Sequence, residues 1–158
     1  MLVNNGKKLF KVCGTYVGTA AGLTDWNGTG SISMSSDQFR NAVYKPYQAG
    51  VNNQGSFIVL GDSDTAEAVS QYNIQGTDIT SSLTRVGYTR DNNQTVGLTV
   101  TYRNDGSSNV VIKEMAYFVW AGYDQTSSIM VARKVFAQPL TIEPNETRAV
   151  TITLAINP

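Results

Sequence analysis

Hydrophobic and polar positions alternate with a period of two over much of the chain after residue 55. From Thr95 to Arg103 the apolar set is Val96, Leu98, Val100 and Tyr102, set against Thr95, Gly97, Thr99, Thr101 and Arg103. Val150, Ile152, Leu154 and Ile156 repeat the pattern against Ala149, Thr151, Thr153 and Ala155. Successive side chains of a strand point to opposite faces, so each run predicts a strand with one face on a core and a Thr-rich face in water. One-sided burial predicts an antiparallel sheet, because a parallel sheet covered on both faces reads as continuous apolar runs. Further β-like runs are Ser56 to Leu60, Leu83 to Arg90, Val110 to Ala121 and Ile129 to Phe136. In the last of these, Ile129, Val131 and Val135 fall on one face and Met130, Ala132 and Phe136 on the other, which predicts a strand covered on both sides.

The separators are turn formers. Asp91-Asn92-Asn93, Asn104-Asp105-Gly106 and Gly122-Tyr123-Asp124 lie between β-like runs, and Pro139 and then Pro144-Asn145-Glu146 break the final stretch. Asp64 to Tyr72 offers a turn or two of helix at most. Short strands with turn signals roughly every 8–12 residues predict an all-β fold, an antiparallel β-sandwich of jelly-roll or Ig-like type, over residues 55–158.

Residues 1–54 read as an irregular N-terminal segment. Leu9 to Val17 has strand character, but Gly14, Gly18, Gly22, Gly28 and Gly30 then follow among Thr, Ala and Ser. Ser36 to Tyr44 predicts one short helix, with Ser36 or Asp37 as its cap and Phe39, Ala42 and Val43 as its apolar side. The segment is either extra strands of the same domain or a docking arm that orders on a neighbouring subunit.

Composition narrows the function. Twelve Lys and Arg balance twelve Asp and Glu, and only 15% of the 158 residues are charged, against about 25% usually. A surface with no net field predicts neither a nucleic-acid nor an anionic-membrane partner and favours association with protein. No apolar run reaches the roughly 18–20 residues of a membrane span, and Met1 to Phe10 has no secretory apolar region. Cys13 is the single cysteine, which reads as a small buried hydrophobe in a reducing folding compartment. Histidine is absent. That removes Ser-His-Asp and Cys-His nucleophile pairs and His-ligated zinc, so the chain reads as a non-enzyme without cofactor.

Few constellations carry chemistry. Asp62-Ser63-Asp64 with Glu67 is a weak calcium candidate, lacking the central Gly and distal Glu of a helix–loop–helix site; Asx turns account for the same residues. Asp62, Asp64, Asp78 and Asp91 lie in wet turns where a catalytic carboxylate is not tuned by burial. Glu114 falls inside a strand and needs a partner, for which Arg133, Lys113 and Lys134 are candidates; Glu114 with Arg133 is the expected structural ion pair. Trp26, Tyr44, Tyr47, Tyr117, Trp120 and Tyr123 suit a core or interface, or else a sugar-stacking platform.

From Phe57 onward, the order of motifs resembles small virion structural proteins of tailed bacteriophages. Ile58-Val59-Leu60-Gly61-Asp62-Ser63-Asp64-Thr65-Ala66 is a β run ending in a Gly-containing, Asp/Thr-rich turn. Val96 to Tyr102 and the turn Asn104-Asp105-Gly106-Ser107-Ser108 follow. Then come an I-x-E strand (Ile112-Lys113-Glu114-Met115-Ala116), an A-R-x-V strand (Met130-Val131-Ala132-Arg133-Lys134-Val135) and the turn Thr141-Ile142-Glu143-Pro144-Asn145-Glu146-Thr147. The resemblance covers roughly residues 57–156. It departs from the pattern at Asn145, where Gly is common, and at Met115-Ala116, where an aliphatic residue and Gly are frequent. It implies β-sandwich protomers that form homo-oligomers and dock on capsid or tail proteins, as head decoration, head fibre or tail accessory. Such a chain is made in the host bacterial cytoplasm and resides in the virion. A carbohydrate- or receptor-binding module on a fibre or cell surface is the alternative.

Overall fold

The computed structural model describes residues 1–14, 18–44, 55–91, 95–120 and 128–155. The elements are α1 (Asn4–Gly14), β1 (Thr19–Thr24), β2 (Gly30–Ser35), α2 (Ser36–Tyr44), β3 (Ser56–Gly61), a 3-10 turn (Thr80–Ser82), β4 (Thr84–Asp91), β5 (Thr95–Arg103), β6 (Val110–Trp120), β7 (Ser128–Ile142) and β8 (Thr147–Ala155). Strands predominate, and the sheets are antiparallel and not closed. Their orders are β1-β2, β3-β6-β7 and β4-β5-β8. No helix among the described residues is long and apolar enough to cross a membrane.

The chain divides into two compact units, and the division does not fall at residue 55. One unit comprises Met1–Phe57, Glu67–Asn73 and Ala116–Lys134; the other comprises Ile58–Ala66, Ile74–Met115 and Val135–Pro158.

In the first unit, the described residues among 1–54 are not irregular but hold two helices and a hairpin. Where strand character was expected from Leu9, the backbone is helical through Gly14. Local propensity does not favour this helix, which starts Asn4-Asn5-Gly6; tertiary contacts hold it. The Asn5 amide donates to Thr24 O (2.7 Å) and its carbonyl accepts from Thr24 N–H (3.0 Å). Gly6 lies so close to β7 that a Cβ would sit 2.2 Å from the Val131 carbonyl oxygen. Leu9 is buried, and Phe10 meets the ring of Phe39 edge-on at 5.3 Å. The helix expected over Ser36 to Tyr44 forms and buries Phe39, Ala42 and Val43. Its cap is Ser35, one residue earlier than expected. Ser35 Oγ accepts from Gln38 N–H (3.2 Å) while Gln38 Oε1 accepts from Ser35 N–H (2.8 Å), a reciprocal capping box. The hairpin turn is organised by Asp25, whose Oδ1 accepts from Asn27 N–H (3.0 Å) and Thr29 N–H (2.7 Å), with Gly28 at φ 86°.

The first three residues line the edge of β7. Leu2 bridges Ala132 antiparallel, Val3 N–H donates to Val131 O (3.1 Å), and Met1 O accepts from Arg133 N–H (3.0 Å). Ile129 to Arg133 are buried on both faces, as the sequence predicted, and so are Ala116 to Trp120. β7 then continues through Pro139 to Ile142 rather than breaking there. β7 ends the order β3-β6-β7, and an edge strand tolerates a residue without an N–H.

In the second unit, β4-β5-β8 is antiparallel throughout. Leu98, Val100 and Tyr102 on β5 and Val150 and Ile152 on β8 are buried, as the alternation predicted. The other face is a row of short hydroxyls: Thr89 stands opposite Thr99 and Thr99 opposite Thr151, with the last two hydroxyls 2.8 Å apart. β4 carries an irregularity between Arg85 and Gly87, whereas β5 and β8 pair without one. The helical turns considered for Asp64 to Tyr72 do not form.

Candidate functional site

The most constrained polar group of the second unit is the carboxylate of Glu114, fully buried on β6. It accepts from Gln75 N–H at 3.1 Å on each oxygen and from Gly76 N–H at 2.7 Å on Oε1. The next amide, Thr77 N–H, donates to Asp62 Oδ1 at 2.7 Å. Successive N–H groups converging on anionic oxygens form a nest, and charge-assisted bonds of this kind are about twice as strong as neutral ones. Two glycines make room. A Cβ at Gly61 would lie 2.6 Å from Glu114 Oε1, and one at Gly76 would lie 2.3 Å from Asp62 Oδ1 and 2.6 Å from Ser63 N.

Asp64 is exposed and stands 3.8 Å from Lys113 Nζ, a surface pairing of small energetic weight. Glu67 belongs to the first unit, where its Oε2 lies 3.2 Å from the Met1 ammonium. The same ammonium donates to Arg133 O (2.6 Å). Among the described residues no three of His, Cys, Asp and Glu are grouped to hold a metal ion. Asp62 Oδ1 accepts from Thr77 N–H, fifteen residues on, and not from a local Asx-turn amide. Arg133 is fully buried, and its Nη1 donates to Gln71 Oε1 (3.0 Å), which also accepts from Ala68 N–H (2.9 Å).

A second polar focus of the second unit is the Asn104 turn. The buried Asn104 amide donates to Ser108 O (2.8 Å) and Ile142 O (2.9 Å), and its Oδ1 accepts from Gly106 N–H (3.0 Å). Beside it, the Arg103 guanidinium bonds both oxygens of Asp105 and holds that carboxyl below the usual range. Glu146 accepts from Glu143 N–H and Arg148, which lower its pKa in that order. Burial pushes the Tyr102 phenol up, and its hydroxyl donates to Ile58 O at 3.3 Å.

The aromatic residues divide between core and turn. Phe57 stacks on Phe118 (5.4 Å) and meets Trp120 edge-on (6.2 Å). Tyr117 and Trp120 are buried, so neither offers a sugar-stacking face. Trp26 is half-buried in the turn between β1 and β2, where its carbonyl accepts from Asn73 Nδ2 (3.1 Å). The side chains of Cys13 and Tyr44, and Tyr47 and Tyr123 entirely, lie outside the described residues.

The sequence singles out Glu114 but not the Gln75 and Gly76 amides that donate to it, because these are backbone groups that every residue type except proline carries. Gly61 and Gly76 were the available signals, each beside a polar residue at the end of a β run or turn. No protein-family model, no curated protein and no solved structure matches the chain.

Proposed function

We propose that the chain is a non-enzymatic structural subunit of a tailed bacteriophage particle, acting through contacts with other copies of itself and with capsid or tail proteins. In this reading its three-stranded sheets form a β-sandwich of jelly-roll or Ig-like type, and the protein resides in the virion after synthesis in the host cytoplasm. One observation carries the reading. Two motifs of the resemblance, Gly61-Asp62 and the I-x-E of Ile112 to Glu114, lie far apart in sequence but meet in space, with Gly61 leaving the room that the Glu114 carboxylate fills. Their joint occurrence then has a physical cause: one residue is of little use without the other. The polar groups add support. Glu114, Asp62, Asp25 and Glu146 each accept from backbone N–H groups, which supports a structural over a catalytic role for them in this reading.

The test is mass spectrometry of particles purified from a lysate of cells carrying the gene. The chain is expected as a stoichiometric component that resists salt washing, and labelled particles in negative stain then give head or tail. Its absence from intact particles would overturn the reading.

A further inference from the structure

The connection that leaves β3 after Gly61 returns to its start. Gly61 and Asp78 form an antiparallel bridge, Ile79 N–H donates to Leu60 O (3.0 Å), and Leu60 N–H donates to Thr80 Oγ1 (2.9 Å). Inside this neck, the three consecutive amides of Gln75, Gly76 and Thr77 all end on carboxylate oxygens, two on Glu114 and one on Asp62. We propose that Glu114 is a latch: a buried anion, supplied by the neighbouring strand, that closes the neck of this loop and fixes its shape while the rest of the second unit folds independently of it.

Three features support a latch over an ordinary core group. The backbone amides that meet the carboxylate belong to the returning arm of the loop rather than to a strand of the β4-β5-β8 ladder. Both arms give up side chains where the latch needs space, at Gly61 and Gly76. The outgoing arm beyond the neck is exposed from Asp64 to Ala66, yet it is ordered by its own hydrogen bonds. Thr65 N–H donates to Ser63 Oγ (3.1 Å), whose hydroxyl donates in turn to Thr65 Oγ1 (2.8 Å). An exposed segment held this way loses little entropy when a partner arrives. The latch needs no partner to exist, so it stands or falls separately from the virion reading.

Native-state hydrogen exchange on the full chain tests it, comparing Glu114→Gln and Gly76→Ala with the parent. The glutamine variant keeps the length of the side chain but loses the charge. The alanine variant keeps the Glu114 side chain and sets a Cβ against Asp62 and Ser63, displacing the arm whose amides meet the carboxylate. In both variants, exchange at Gln75, Thr77 and the amide of position 76 should rise on the order of 10–100-fold, the worth of about one charge-assisted hydrogen bond. Amides of β5 should change less than about threefold, since local and global opening are separate events. Unchanged exchange at the neck, or an equal rise across β5, would overturn the proposal. Should Glu114→Gln not fold, Gly76→Ala decides: a rise confined to the neck supports the latch, and no rise or general loss of protection refutes it.

Discussion

Replacing Asn104 offers the sharpest check on how the second unit is held at its turns. Asn104→Ala removes one acceptor and two donor bonds: from Gly106 N–H and to Ser108 O and Ile142 O. A neutral hydrogen bond contributes about 1 kcal/mol net, and a buried partner left unsatisfied costs about 1–3 kcal/mol. Gly106 and Ser108 lie in an exposed turn where water replaces the lost partner, whereas Ile142 is fully buried. The sum is therefore about 2–3 kcal/mol, most of it from Ile142 O. For a chain of 158 residues, that corresponds to a loss of roughly 5–10 °C in Tm, read by circular dichroism. Asn104→Asp sharpens the test. It keeps the acceptor for Gly106 but turns a carboxylate oxygen toward two carbonyls, which favours the protonated acid in the folded state. A folded-state pKa raised above the unfolded one makes stability fall as pH rises, so the Asp variant should be worse than Ala at pH 7 and recover below about pH 4. A loss under about 1 kcal/mol for Ala, or a pH-independent deficit for Asp, would refute this accounting.

Two further predictions concern the turn before β8. Glu146→Gln should lower Tm at pH 7, and the difference from the parent should vanish near about pH 2: the Glu146 pKa lies below its ordinary value of 4.5, so its contribution is full above that value and lost as pH falls through the folded one. A difference that persists in acid would contradict that assignment. Asn145 adopts φ 63°, so Asn145→Gly should leave stability within about 0.5 kcal/mol, whereas Asn145→Ala should cost about 1 kcal/mol in a denaturant titration.

The half-wet strands were the most legible part of the chain. Leu98, Val100, Tyr102, Val150 and Ile152 are buried where the alternation put them, because one face of that sheet meets solvent and selects Thr there. β6 carries no such signal from Glu114 onward, since both faces are covered and the two-residue period disappears. α1 was illegible for a different reason. What holds it is the pairing of Asn5 with the Thr24 backbone and the approach of Gly6 to Val131 O, contacts made only after distant residues assemble. Pro139 misled in the opposite direction, because its effect depends on whether a strand lies at an edge, which is a property of the sheet rather than of the segment. Glu114 was recognised as a buried carboxylate in need of a partner; the backbone amides that meet it have no side-chain identity to read.

The pairing of Met1 to Val3 with β7 fixes a timetable for synthesis. Met1 meets Arg133, so the edge of that unit cannot be completed before about 130 further residues have been added. At about 5–20 residues per second Met1 to Val3 wait on the order of ten seconds for that pairing, whereas Phe10 can meet Phe39 much earlier. Slowing elongation downstream of α2 should lower the yield of native protein more than slowing it after β7.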